Sequence, residues 1–286
     1  MTILQVNKNI SRKGTEAMKE KQYDFTHTPI DLDDPQTKLS EYAELLLKKD
    51  QLLKEAASYQ IAFTREFGEL IVKNFELKLE CIREKKTISY CRRRLNRGLP
   101  IDTAKMKAEI EQEMKLYCVQ LEELIQENKD AHDAKKAGQF EVSRAKKIYR
   151  RLAKLLHPDI NKKTQTDETL QDLWTRIVDA YRRSDVDELE ELEVLTRKVL
   201  DDLGEAAFDI DTGDLDRKIN KVERWINEIL STEPYTYGEL LSDPEKKESY
   251  RDQLKAEAAD YKEYLNTLKK ELDEMLSENG AKIIWR

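Results

Sequence analysis

Residues 144–159 read RAKKIYRRLAKLLHPD, and helical spacing sorts them into two faces. Ala145, Ile148, Tyr149, Leu152, Leu155 and Leu156 recur at three- and four-residue intervals and make an apolar face, while Lys147, Arg150, Arg151 and Lys154 gather on another. Pro158 has no amide hydrogen and disfavours a helical backbone at His157, so the helix stops at about Leu156 and His157, Pro158 and Asp159 form a fixed corner. A basic loop, Ile160 to Thr166, follows. Thr166 or Asp167 then caps a new helix whose apolar stripe is Leu170, Leu173, Trp174, Ile177, Val178 and Tyr181. The expected unit is two antiparallel helices joined by a corner and a loop.

Outward from this unit the pattern stays helical. The 286 residues include 8 Gly and 6 Pro, 38% are charged, and no segment sustains two-residue alternation, so an all-α fold is expected. Residues 1–34 are polar, end in Asp34-Pro35, and read as a flexible tail. From Leu39 to Leu95 one alternating three-four seam runs through Tyr42, Leu46, Leu53, Ala56, Phe63, Phe67, Cys81, Ile88 and Cys91, interrupted by Lys49, Gln60, Asn74 and Glu84. Gly98-Leu99-Pro100 ends that helix, and Asp102 caps another carrying Met106, Ile110, Met114, Tyr117, Leu121 and Leu124 as far as Gly138. Residues 35–138 thus read as an elongated antiparallel coiled-coil hairpin. Its first helix would run roughly 90 Å and its second about 55 Å, leaving the seam from Leu39 to about Gln60 without a mate. Either the C-terminal helix of Leu254, Ala258, Leu265, Leu268 and Leu272 folds back over it, or a second copy of the chain forms a homodimer there. Residues 139–203 hold the corner and residues 204–286 a C-terminal helical region, in which Asp214 caps the helix of Leu215, Val222 and Ile226.

Charge narrows the function. A net charge of -7 and a pI near 5.4 argue against wholesale binding of nucleic acid or anionic lipid. Yet residues 144–163 hold Arg144, Lys146, Lys147, Arg150, Arg151, Lys154, Lys162 and Lys163 against Asp159 alone. The stretch after Tyr181 is acidic, with Glu188, Glu190, Glu191 and Glu193, and is either an internal mask for those cations or an ordinary solvated face. The three cysteines and three histidines have no zinc spacing. Cys81 falls opposite about residue 117–118, so it either pairs with Cys118 or the two are small buried apolar side chains. With no signal-peptide core and no long apolar run, a soluble cytoplasmic protein is expected. No nucleophile–base set or phosphate loop appears, so neither an enzyme nor a cofactor is expected.

Lys146-Lys147-Ile148-Tyr149-Arg150-Arg151-Leu152-Ala153, His157-Pro158-Asp159 and Trp174-Thr175-Arg176-Ile177-Val178-Asp179-Ala180-Tyr181 together resemble a J domain, whose basic helix, H-P-D corner and following F-x-x-I-x-x-A-Y helix come in that order. The resemblance implies a co-chaperone that docks on a DnaK-type chaperone ATPase and stimulates it to clamp on a protein client. By the same resemblance His157, Pro158 and Asp159 would be the trigger, and Lys146, Lys147, Arg150, Arg151 and Lys154 would steer the encounter with an acidic surface. Departures matter. Glu127 to Glu141 lacks the Y-x-x-L-G helix that opens a J domain, so another element must cover the hairpin, and Leu121 to Ile125 with Phe140 and Val142 are expected to do so. Leu156 replaces the usual Tyr, and Ile160 stands where Lys is common. The Gly/Phe-rich linker and zinc modules are missing, which points to a specialised member whose coiled coil sets partner or client. The alternative is a structural coiled-coil adaptor with an inactive J-like hairpin.

Overall fold

A computed structural model describes residues 35–134, 137–210 and 212–278; the expected tail of residues 1–34 lies outside them. The fold is all-α, as expected. Its helices are α1 (Pro35–Leu95), α2 (Thr103–Asp133), α3 (Gln139–Leu156), α4 (Lys163–Thr166), α5 (Glu168–Arg183), α6 (Val186–Leu203), α7 (Leu215–Ser231), α8 (Tyr237–Ser242) and α9 (Pro244–Glu278). Among the described residues no helix is long and apolar enough to cross a membrane.

Local chemistry sets most boundaries. Gly98, at φ +64°, takes the left-handed conformation that turns the chain out of α1, and Asp102 accepts a hydrogen bond from Lys105 N at 3.0 Å to start α2. Asp167 does the same for α5, through Thr169 N and Leu170 N, and Asp185 for α6, through Glu188 N. Asp214 does not cap α7 by its side chain. Its backbone is left-handed (φ +48°), and its carboxylate instead faces Arg217 in the first turn at 3.8 Å.

α1 is the common contact of the fold, and the registers along it explain what covers what. Pairs Lys86–Glu113 and Arg93–Glu109 run in opposite order, so α2 lies antiparallel to the second half of α1, burying Met106, Ile110 and Met114 against Cys91 and its neighbours. Pairs Asn74–Leu254, Cys81–Tyr261 and Arg92–Glu271 advance together, so α9 lies parallel to α1. Because α9 begins at Pro244, this register places it beside α1 only beyond about residue 63, where Leu254 packs on Phe63 and Phe67. The first part of the seam is therefore covered by α7, not by α9: Tyr42, Leu46 and Leu52 pack with Leu215, Val222 and Ile226. Another side of α1 is engaged as well, through Leu47, which packs into the cluster of α3, α5 and α6. A single seam assumes one partner, and this is why Leu53 on the seam is 49% exposed while Leu47 and Leu52 off it are buried.

The three cysteines are free thiols. Cys81 donates to Tyr261 O (3.4 Å), Cys91 lies 3.8 Å from the Met106 sulfur, and Cys118 borders the same apolar cluster, as small apolar side chains do.

Candidate functional site

The strong two-faced pattern of residues 144–156 produces α3, which ends at Leu156 as Pro158 requires. Tyr149 stacks on Tyr181 with ring centroids 4.0 Å apart, and Trp174 meets the His157 ring edge-on at 5.0 Å. The end of α3 thus lies beside the middle of α5 and its middle beside the end of α5, an antiparallel hairpin with the corner at its closed end. Ala145, Ile148, Tyr149, Leu152 and Leu156 are buried against Leu170, Leu173 and Ile177. Leu155 is not in this core but 37% exposed, and Ala153 is fully buried in its stead, because α3 packs on α6 as well as on α5.

α6 is the cover that the hairpin lacks in sequence. Leu189 and Leu192 are fully buried in the α3–α5 core, and Leu47 of α1 closes the remaining side. The expected cover is overturned: Ile125, Phe140 and Val142 are 45%, 75% and 39% exposed. The antiparallel register puts Leu124 opposite about residue 75 of α1, roughly 40 Å along that helix from Leu47 at 1.5 Å per residue. Changing Leu124 and Ile125 to Asp is therefore expected to leave the hairpin folded, read as unchanged amide hydrogen exchange in α3 and α5; faster exchange there would return the covering role to α2.

The corner is held against α1. His157 is buried; its Nδ1 accepts a hydrogen bond from Asp159 N at 3.1 Å, so the ring proton sits on Nε2, which faces Asp50 Oδ2 at 3.6 Å. Asp50 Oδ2 also accepts the Tyr149 hydroxyl at 2.7 Å. Burial opposes the charge of Asp50, but these two partners, with the charge of Lys49, hold its carboxyl below the ordinary range. Burial, and then Asp50 itself, pushes the Tyr149 phenol up, so it stays a donor. The Asp159 side chain is 43% exposed, with Lys49 Nζ 4.0 Å from its Oδ2. Pro158 is half-buried and its carbonyl accepts from Gln165 Nε2.

Besides Asp50, two residues of the site escaped sequence reasoning. Asn161 is fully buried and uses its whole amide: Nδ2 donates to Leu155 O (3.1 Å) and Ala207 O (2.9 Å), and Oδ1 accepts from Lys163 N (3.1 Å) and Asp209 N (2.9 Å). With the Lys162 N to Asp209 O bond, it ties the loop after the corner to the segment after α6. Its only sequence signal is its place two residues past Asp159. Lys54 of α1 donates to Tyr181 O (2.6 Å) and Ser184 Oγ (2.8 Å) and lies over the Tyr181 ring, closing the end of α5; burial pushes its pKa down to about 8.

The cations expected to steer a partner are largely engaged within the chain. Arg150 and Lys154 both reach Glu44 of α1, Arg151 grips Glu193 of α6 with two bonds of 2.8 Å, and Arg144 pairs with Glu190. The hydrogen bond from Lys154 to Glu44, and that from Arg151 to Glu193, hold both carboxyls below their ordinary range. Of the acidic stretch, Glu190 and Glu193 face α3, whereas Glu188 pairs with Arg183 of α5. Lys147 is exposed and has no carboxylate partner among the described residues; Lys146 is half-buried and borders, with Glu41 and Glu44, a cleft of about 380 Å³ between α1 and α3. No protein-family model matches the chain, and neither curated proteins nor solved structures yield a match.

Proposed function

We propose that this chain is a co-chaperone that docks on a DnaK-type chaperone ATPase and stimulates it through Asp159. The observation that carries the reading is the corner itself: a half-exposed carboxylate at the closed end of an antiparallel hairpin, beside a helix rich in cations. His157 acts inside the corner. By accepting from Asp159 N and packing on Trp174 it fixes the backbone from which Asp159 projects, so the carboxylate meets a donor on the chaperone without first being ordered. The test is ATP turnover by a DnaK-type chaperone with the wild type, Asp159→Asn and His157→Gln. Stimulation by the wild type is expected to fall at least about 30-fold in apparent affinity for Asp159→Asn, the cost of leaving a charged hydrogen-bond partner unmatched.

One observation favours a second reading, a structural adaptor with a silent hairpin: the corner is packed on α1, with His157 buried against Asp50. Turnover that the wild type does not raise would favour that reading. Within the first, the carboxylates of α1 and α6 that pair with the α3 cations act as an internal mask. Glu44→Gln combined with Glu193→Gln is expected to tighten chaperone binding about three- to tenfold, since exposed pairs are worth up to about 1 kcal/mol each. Titration calorimetry at low salt checks this, and an unchanged or weaker affinity would remove the mask.

A further inference from the structure

With Arg144, Arg150, Arg151 and Lys154 already bound to carboxylates of the same chain, α3 leaves Lys147 exposed for a partner, and further cations stand elsewhere around the corner. Across α1 from the hairpin stands α7, which buries Leu215, Val222 and Ile226 and leaves Trp225 40% exposed. Lys49 joins the two regions. Its ammonium is 4.0 Å from Asp159 Oδ2 and 5.4 Å from the centroid of the Trp225 ring, so carboxylate and indole are no more than about 9.4 Å apart. Lys221, one turn before Trp225, is exposed and places its own ammonium 4.6 Å from the same ring; it has no carboxylate partner among the described residues.

A single exposed aromatic ring is ordinary on a protein surface. Trp225 differs in being flanked by two ammonium groups and contiguous with Asp159. A large rigid ring that excludes water beside a cation with no carboxylate partner, here Lys221, is the composition of an energetic centre in a protein interface. We propose that the chaperone-docking surface extends from the corner over α1 onto α7, where Trp225 and Lys221 receive an acidic segment of the same DnaK-type partner. The carboxylate of that segment pairs with Lys221 while its carbon chain covers the indole. Asp159 and Trp225 then form two neighbouring contacts of one interface. The inference rests on the co-chaperone reading.

The test is the affinity of the full chain for a DnaK-type chaperone with ATP bound, measured for the wild type, Trp225→Ala, Trp225→Phe, Lys221→Glu and Asp159→Asn. Trp225→Ala is expected to weaken binding at least about tenfold, with Trp225→Phe retaining most of the affinity. Lys221→Glu is expected to weaken binding and flatten its dependence on salt. Lys221 is exposed, so its variant carries the test even if Trp225→Ala disturbs α7, which circular dichroism would reveal. Wild-type affinity in both Trp225→Ala and Lys221→Glu, with loss in Asp159→Asn, would confine docking to the hairpin and overturn the inference while leaving the co-chaperone reading intact. A wild type that does not bind the chaperone at all would remove both.

Discussion

Asn161→Ala is expected to lower the stability of the hairpin by about 3 kcal/mol or more, because it leaves two carbonyls and two amides without the partner they now share. Each such group, if it stays buried, costs about 1–3 kcal/mol, and entering water recovers part of this. The loss is also local in its consequences. Asn161 is the side chain that joins Leu155 O at the end of α3, Lys163 N at the start of α4, and the Ala207–Asp209 segment beyond α6.

 Without it the loop after Asp159 loses its tether, and amides from Ile160 to Asp167 should exchange faster than those of α3. Urea unfolding, read as a lower midpoint at unchanged slope, measures the first effect and hydrogen exchange the second. A midpoint within error of the wild type would mean that Asn161 is replaceable and that the remaining contacts of the corner suffice to hold it.

Leu192→Asp should go further and unfold the α3–α6 unit. Leu192 is fully buried where α6 closes the hairpin core, and truncating such a leucine to Ala alone costs about 2–5 kcal/mol. A carboxylate there adds the cost of burying an unpaired charge, several kcal/mol more unless the core opens to water. The cluster of α1, α2 and α9 around Cys91 and Met106 shares none of these side chains. The expected result is therefore a partial loss of helicity, with fast exchange in α3, α5 and α6 and protection kept in α2 and in the α9 residues from Leu265 to Leu276. On the co-chaperone reading proposed above, stimulation of the chaperone should disappear with the hairpin. Protection of α3 and α5 equal to the wild type would show that α6 is not the cover, and global unfolding would show that the two clusters fold as one.

These two substitutions mark where sequence reasoning stops. The hairpin was legible because its causes are local: Pro158 stops α3, Asp167 caps α5, and the three-four spacing of Ile148, Leu152 and Leu156 states which side of α3 must be buried. An apolar stripe states that something covers it, but not what. Leu124, Ile125, Phe140 and Val142 are apolar residues upstream of the hairpin that could meet this need, while Leu189 and Leu192 lie in a stretch dominated by acidic residues. Asp50 and Asn161 were beyond reach for a related reason. Asp50 is a polar residue within a long charged helix, and its role comes from Tyr149 and His157, roughly a hundred positions away.

By itself, then, the sequence determined the all-α class, most of the helix ends, the corner at His157-Pro158-Asp159 and the concentration of cations before it. Each depends on backbone preferences and spacing within a few residues. Tertiary structure decided that α7 covers the start of α1, that α6 and Leu47 cover the α3–α5 hairpin, and that Glu44, Glu190 and Glu193 engage the basic face. Those outcomes depend on the register between helices distant in the chain. Register is set by which side chains fit and which charges meet when two surfaces are brought together, and periodicity along one helix carries no information about that.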